Sequence, residues 1–156
     1  MHFEHDVHRS THERVTQYLK ELFEEPVTTD SDGHFYVRYG STVLEIAVDA
    51  YGPEEAIVHI TSYCVQGVHV SDELLRGLLQ TNHERPLGAF SLVGEDIFYS
   101  YALLARSMQP RDLLRAIAAV ADFSDEFDDR IVAEFGGQTA LQRIQDTGGR
   151  RRRAVH

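Results

Sequence analysis

The chain has a single cysteine and no long apolar run, and both absences narrow the class of protein. Cys64 has no second cysteine with which to form an internal disulfide, which fits a reducing compartment. No stretch reaches the roughly 18 apolar residues that a membrane-spanning helix needs. The first 12 residues include four histidines and do not resemble a signal peptide. We therefore expect a cytoplasmic protein without a membrane segment.

The chain also lacks the short motifs of common catalytic and nucleotide-binding sites. It has no G-x-S-x-G elbow, no G-x-G-x-x-G, no phosphate-binding loop ending in Gly-Lys-Ser or Gly-Lys-Thr, and no pair of cysteines for zinc. His12 and Glu13 do not begin a zinc-protease motif, because the fifth position is Thr16 rather than a second histidine. The sequence therefore supports neither an enzyme nor a cofactor.

The N-terminal segment is rich in histidine, and imidazoles on one face can bind a transition metal. Its histidines are His2, His5, His8 and His12. Ser10 and Glu13 have the spacing of a helix capping box, and an apolar helical stripe follows them. If Ser10 is the cap, only His12 lies inside the helix, so no preformed metal site follows. We interpret residues 1–10 as a flexible lead with solvated histidines. The alternative is a metal-binding protein or metal-dependent enzyme that uses this cluster.

Alternating apolar residues between Phe35 and Val65 predict three consecutive strands with short turns. A two-residue hairpin loop at Gly40 and Ser41 places glycine where a positive φ is required. The pairs on one face are then Tyr39 with Thr42, Val37 with Leu44, and Phe35 with Ile46. A shift of one residue would turn Leu44 and Ile46 toward water, so this register is strongly favoured.

The third of these strands defines the two faces of the predicted sheet. We expect its small, mainly apolar side chains to be buried: Ala56, Val58, Ile60, Ser62 and Cys64. Cys64 is thus predicted to be a buried small residue rather than a nucleophile, because no charged partner is identifiable beside it. The opposite face carries aromatic and polar groups. Its candidate partner-binding residues are Tyr36, Glu45, His59 and Tyr63.

The second half of the chain predicts a helix, two strands and a long helix. Ser71 is a good N-cap for the first helix, whose predicted buried stripe is Leu74, Leu75, Leu78 and Leu79. Strands are predicted at residues 88–93 and 97–105. The last helix begins near Pro110 and ends at Gly136. Four acidic residues fall on one side of it, and we expect them to be solvated: Asp122, Asp125, Glu126 and Asp129.

The predicted element order is therefore α-β-β-β-α-β-β-α. This order describes an α+β domain, with an antiparallel sheet of about five strands and helices packed on it. The 156 residues, 42% of them hydrophobic, suffice for one globular domain. We assign this domain to residues 11–137 and a C-terminal tail to residues 138–156.

Charge divides the chain into an acidic body and a basic end. The net charge is −10, from 15 basic and 25 acidic residues, and Arg150–Arg153 supply four of the basic ones. Without them, 11 positive and 25 negative charges give −14. Such a body repels nucleic acid and anionic membranes and favours basic or amphipathic partners, although its charge also serves solubility. The Arg-rich tail is predicted to be disordered, and nucleic-acid binding through it is disfavoured.

Two segments carry a resemblance to a known family: NHERPLGAFSLVGEDIFYSYALLA at residues 82–105 and ADFSDEFDDRIVAEFGG at residues 121–137. Together with the element order, they resemble the YbjN family, whose fold is similar to that of class I type III secretion chaperones. The resemblance spans about residues 11–137. It implies an antiparallel α+β fold, frequent homodimerisation and a peptide-binding or regulatory role. It brings no catalytic motif.

We therefore expect a non-catalytic protein- or peptide-binding module, chaperone-like or regulatory, that acts as a homodimer. The expected partner is an apolar or basic peptide, because the body is acidic and the outer face combines Tyr36 and Tyr63 with Glu45. Self-association competes for the same surface, since the apolar area can instead be a dimer interface.

Overall fold

The computed structural model describes residues 2–40, 42–140 and 142–143, which form three helices and an antiparallel sheet. The helices are α1 (Asp6–Leu22), α2 (Asp72–Glu84) and α3 (Pro110–Phe135). The strands are β1 (Thr28–Thr29), β2 (Phe35–Tyr39), β3 (Thr42–Ala50), β4 (Ala56–Gln66), β5 (Ala89–Val93), β6 (Asp96–Leu104) and β7 (Gln138–Thr139). The α+β class is confirmed. The described part of the chain has seven strands rather than about five. The two additional strands, β1 and β7, have only two residues each.

The sheet has the strand order β1-β2-β3-β4-β6-β5, with every neighbouring pair antiparallel. The seventh strand, β7, pairs with the end of β4 at Val65 and Gln66. At Val65, one side of β4 is already paired with Ile97 of β6. The strand β7 must therefore lie on the β3 side of β4, beyond the point where the β3–β4 ladder ends.

The predicted hairpin register is confirmed. Phe35 pairs with Ile46, Val37 with Leu44, and Tyr39 with Thr42. Gly40 has a φ of +59°, as the first position of the tight loop requires. Leu44 and Ile46 are fully buried. A one-residue shift of the register would turn both side chains toward solvent and is therefore unfavourable.

Helices α1 and α3 pack on the same face of the sheet, which we call the inner face. The ring of His12 in α1 stacks on Phe35, with centroids 4.6 Å apart. On α3, the hydroxyl of Ser124 lies 3.0 Å from the sulfur of Cys64. Phe35 and Cys64 belong to the face that the alternation predicted to be buried, and Cys64 is only 2% exposed. The core therefore lies between this face and the two helices.

Helix α2 flanks the sheet at the β5 edge. Its N-cap is Ser71 as predicted, since the Leu74 N–H donates to the Ser71 hydroxyl oxygen at 3.2 Å. Leu74 and Leu78 are buried, but Leu75 is 37% exposed and Leu79 is 69% exposed. The prediction of a four-leucine buried stripe is therefore wrong for these last two. A helix at the edge of a sheet buries a narrower stripe than one lying across it.

The predicted start of α1 is wrong. The helix begins at Asp6 with His5 as its N-cap, and no side chain caps it. Instead of capping a helix, the Ser10 hydroxyl donates to the Val7 carbonyl at 3.1 Å, one turn back within the helix. Residues 6–10, which we assigned to the lead, are consequently helical.

Helix α3 begins and ends close to the predicted residues. Gln109, the N-cap, and Asp112 in the first turn form a capping box around Pro110, and Gly136 with a φ of +76° ends the helix. Two residues of the predicted tail then form β7 rather than irregular chain. The predicted disorder of Arg150–Arg153 concerns residues outside the described part of the chain. Of the helices that are described, none has the length and apolar character to cross a membrane.

Candidate functional site

The sheet face opposite α1 and α3, here called the outer face, is covered by neither of these two helices. Strand pairing places the central residues of the outer face side by side: Tyr36 pairs with Glu45, and Glu45 pairs with Thr61. Tyr63, two residues beyond Thr61 on β4, pairs with Phe98 of β6. These side chains are half-buried.

All four predicted partner-binding residues lie on this face, and three of them, Tyr36, Glu45 and Tyr63, form one hydrogen-bonded group. The hydroxyl of Tyr63 donates to Oε2 of Glu45 at 2.9 Å. The hydroxyl of Tyr36 lies 3.1 Å from the same oxygen and 3.1 Å from Oδ2 of Asp30, so its one proton can be donated to either carboxylate. The side chain of Glu45 is 19% exposed. Glu45 is thus a fixed carboxylate between two phenols, reachable from solvent.

Asp30 stabilises the turn that leads into β2. Its Oδ1 accepts from the N–H groups of Asp32, Gly33 and His34 at 3.0, 2.9 and 3.0 Å. Partial burial acts to raise the pKa of Asp30, but hydrogen bonds from the His34 N–H and the Tyr36 hydroxyl outweigh it and lower the pKa. Asp30 therefore stays anionic, and the outer face carries a second fixed carboxylate beside Glu45.

The two phenols are held in their neutral form. Burial first, and then the charge of Glu45, raise the pKa of Tyr63 to about 12. The same two causes, together with Asp30, raise the pKa of Tyr36 well above its usual value. Both hydroxyls consequently remain hydrogen-bond donors to the carboxylates across the physiological range.

His59, the fourth predicted residue, lies apart from this group. It pairs across the sheet with Ala47 and Ala102, and its Nε2 is 3.7 Å from Oδ2 of Asp49. His34 was not among the predicted partner-binding residues, although its Nδ1 is 3.5 Å from Oδ2 of Asp30 and 3.8 Å from Oε1 of Glu45. The Asp-Ser-Asp-Gly turn at residues 30–33 was the signal for Asp30, because Asp favours such turns through its side chain.

The outer face also presents apolar groups around the tyrosine–carboxylate centre. Phe98 contacts Tyr63 edge to face, with ring centroids 4.9 Å apart. Three aliphatic side chains on the rims of the face are largely exposed: Val43 at 41%, Leu104 at 58% and Val93 at 66%. The face therefore combines anionic and apolar binding groups.

A cleft of about 350 Å³ lies on the other side of the molecule, between the end of α1 and β1. Its apolar lining is Leu19, Phe23, Pro26, Val27 and Phe35, and its charged rim is Lys20, Glu24 and Glu25. Beside it, β1 pairs only with Phe35 and Tyr36, so it covers part of the β2 edge. The cleft is a second surface on which an apolar side chain can bind.

Two of the four histidines considered as metal ligands, His8 and His12, anchor α1, so the prediction that they are solvated is wrong for these two. Nε2 of His8 is 2.8 Å from the Val48 carbonyl oxygen, and Nε2 of His12 is 2.9 Å from the Gly33 carbonyl oxygen. Within the described part of the chain, no three His, Cys, Asp or Glu side chains are grouped to hold a metal ion. These contacts tie the helix to the sheet and give no support to the metal alternative.

A one-sided α+β sheet with an open face that combines carboxylates and apolar groups is the surface of a binding protein. The model of a family described as T3SS (YopN, CesT) and YbjN peptide-binding chaperone 1, TY-Chap1, matches residues 9–143. The chain belongs to this family. Membership confirms the resemblance to YbjN proteins and to type III secretion chaperones, and it confirms the prediction of a non-catalytic binding module.

Solved structures with a similar fold include three complexes. The HopA1-SchA chaperone–effector complex has a chain that matches with a TM-score of 0.60 at 12% identity, over 78% of this chain and 97% of that one. The Yersinia pestis type III secretion chaperone SycH with a stable fragment of YscM2 gives 0.56 at 16%, over 74% and 98%. The ExsC-ExsE complex gives 0.63 at 11%, over 81% and 96%. No curated protein sequence matches this chain.

Proposed function

We propose that this protein is a chaperone-like module that holds a basic or apolar segment of a partner protein on the outer face of its sheet. The observation that carries the proposal is the open face itself, where Glu45 is fixed between two tyrosines and surrounded by exposed apolar groups. The family description supports a peptide ligand. One of the similar structures is described as a chaperone–effector complex and another as a type III secretion chaperone with a stable fragment of YscM2, which fits a protein partner.

The chemistry of the face matches a segment that carries both a cation and an apolar side chain. A lysine or arginine reaches Glu45 from solvent and forms a charge-assisted hydrogen bond with a carboxylate that is already positioned. The rings of Tyr63 and Phe98 offer an apolar surface and a cation–π contact beside it. Because the tyrosine hydroxyls donate to Glu45 before binding, little side-chain freedom is lost when the ligand arrives.

The test is to select peptides from a random display library with the full-length protein and to measure their affinity by calorimetry. We expect Glu45→Gln to weaken the best basic peptide about tenfold, which corresponds to about 1.4 kcal/mol. Tyr63→Phe removes only the hydroxyl bond to Glu45 and should have a smaller effect.

Glu24→Gln is the matched control, because it removes the same charge from the rim of the cleft between α1 and β1. If Glu24→Gln weakens binding and Glu45→Gln does not, the peptide binds in the cleft and the proposed site is wrong. Circular dichroism and a urea unfolding curve of each variant verify that the fold is retained.

A further inference from the structure

We propose that Arg150–Arg153 bind to the outer face of their own molecule and compete there with the partner segment for Glu45. These four arginines lie outside the described residues. The place where the described chain ends, the reach of the remaining residues and the charges on the outer face support the contact. The competition rests on the proposed function, whereas the intramolecular contact does not.

The described chain ends beside the outer face. Strand β7 holds Thr139 next to Val65 of β4, and a helical turn follows, in which Thr139 and Gln142 exchange hydrogen bonds of 3.0 and 3.2 Å. Arg143 then lies close enough to Tyr63 for its charge to act on that phenol: burial and Glu45 raise the Tyr63 pKa, and Arg143 opposes them. The described chain therefore ends near Tyr63, at one side of the tyrosine–carboxylate centre.

The remaining chain is long enough to reach both carboxylates of this centre. Arg150 follows Arg143 by seven residues, which span at most about 23–25 Å when extended. Glu45 is one strand away from Tyr63, and Asp30 lies beyond the next strand. With neighbouring strands about 4.8 Å apart, both carboxylates fall within roughly 15 Å of Tyr63.

Charge favours the outer face as the place where the arginines bind. The chain without Arg150–Arg153 carries −14, so these arginines are attracted to its surface as a whole. On the outer face, guanidinium groups meet Glu45 and Asp30 and can bind a carboxylate through two parallel hydrogen bonds. A tether this short gives an effective concentration in the millimolar range, at which even weak pairs are populated.

The acidic side of α3 is the competing acceptor, and it is less suitable. Glu126 is already paired with Arg85 at 2.8 Å, and Asp125 accepts a hydrogen bond from the Thr42 hydroxyl. Thr42 belongs to the inner face, so Asp125 lies on the opposite side of the sheet from Tyr63, where the described chain ends. A segment that leaves the sheet beside Tyr63 meets the outer face first.

The test is paramagnetic relaxation enhancement in the full-length protein, with a nitroxide on a cysteine introduced by Ala154→Cys. Cys64 is buried and does not react under native conditions. We expect the amide signals of Glu45, Thr61 and Tyr63 to be broadened at about 0.01 M NaCl. They should recover at about 1 M, because the Debye length falls from about 30 Å to about 3 Å.

The matched control keeps the label and replaces all four arginines with glutamine, which should abolish the broadening. Broadening that persists in this control, broadening centred on Asp122 and Asp129 of α3, or no broadening at low salt would each overturn the contact. The same four substitutions should strengthen the binding of a selected basic peptide by roughly threefold or more. A peptide that depends on Glu45 but gains nothing from these substitutions overturns the competition and leaves the proposed function intact.

Discussion

Glu45 shows how a single residue can link the sheet register to recognition. Its partners Tyr36 and Tyr63 come from the strands on either side, and both place a hydroxyl within hydrogen-bond distance of the same carboxylate oxygen. The sequence placed these three residues on one face because alternation and a tight turn leave only one favourable register. The sequence analysis did not identify Asp30, because Asp30 lies in a turn, where no alternation of apolar residues indicates which side chains come together.

The titration of Tyr63 tests this arrangement directly. Replacing Glu45 with glutamine removes the negative charge that disfavours the phenolate, so the pKa of Tyr63 should fall from about 12 toward the ordinary value of 10.0. An ultraviolet titration of the seven tyrosines, or NMR of ring-labelled protein, measures the change. Glu55→Gln is the control, since Glu55 bonds to the backbone of Ala56 and Arg106. Equal titration curves for both variants would contradict the Tyr63–Glu45 bond.

Asp128 on α3 should make stability depend on pH. Burial raises its pKa from 3.8 to about 6, and the charges of Asp129 and Asp125 add to this, while the Asp129 N–H opposes it. The folded state therefore binds the proton more tightly than the unfolded state. It loses this advantage as the pH rises from 3.8 through about 6. Above that range, the ionised carboxylate costs the fold free energy.

We accordingly expect Asp128→Asn to stabilise the protein at neutral and higher pH. The carboxyl is partly exposed and screened by solvent, so the gain should be about 1 kcal/mol rather than the full linkage value. Urea unfolding at several pH values measures it, and the gain should vanish below pH 3.8. Asp129→Asn is the matched exposed control and should change little. A gain that is constant with pH would rule out ionisation as its cause.

At the scale of elements, Asn82 shows how α2 closes one edge of the sheet. Its side-chain Oδ1 accepts from the Phe90 N–H at 2.7 Å, and its Nδ2 donates to the Phe90 carbonyl oxygen at 3.0 Å. The amide thus occupies the N–H and the C=O that Phe90 turns away from β6, as a neighbouring strand would. Exposed edge groups of this kind promote pairing with other chains.

Asn82→Ala should therefore destabilise the fold by roughly 1–3 kcal/mol, because two backbone groups lose their partners. Urea unfolding measures the loss, and static light scattering during prolonged incubation measures association through the opened edge. Gln80→Ala, at an exposed position of the same helix, is the control. If both variants lose the same free energy, helix propensity rather than the Phe90 contact explains the effect.

The elements differ in how well their sequence predicts them. The hairpin register was predicted to the residue, because a period of two with one buried face allows one register. The third strand was predicted at residues 57–65, one residue short of β4 at each end. The start of α1 was predicted incorrectly. Ser10 and Glu13 have the spacing of a capping box by coincidence, and the actual N-cap, His5, makes no side-chain hydrogen bond. Strands β1 and β7 are too short to carry any period. The exposure of Leu75 and Leu79 depends on where α2 docks, which local sequence does not encode.

At the scale of the whole molecule, the exposed leucines of α2 predict self-association. Leu75 and Leu79 are one turn apart on the same helix face, and Val70 and Leu87 are also more than a third exposed. We propose that a second copy covers this face. Sedimentation equilibrium should then give twice the 17.7 kDa chain mass, and Leu79→Glu should give the monomer.

Gln80→Glu adds the same charge at the next residue of α2 and should leave the dimer intact. A monomeric wild-type protein, or a dimer that survives Leu79→Glu, would exclude this face as the interface. Because the outer face and α2 belong to different parts of the molecule, the peptide titration with Glu45→Gln and the mass measurement with Leu79→Glu are independent.

The one-sided placement of α1 and α3 has a consequence for how relatives of this protein diverge. Along β2, β3 and the part of β4 before its irregularity at Tyr63–Val65, residues of one parity face the helices and residues of the other parity belong to the outer face. The residues that face the helices are constrained by packing, and the outer-face residues are constrained by the partner that binds there. An alignment of relatives scored separately at the two parities should show steady apolar character in one and lineage-specific change in the other. The outer-face residues of these strands would then differ between lineages according to the partner that each lineage binds.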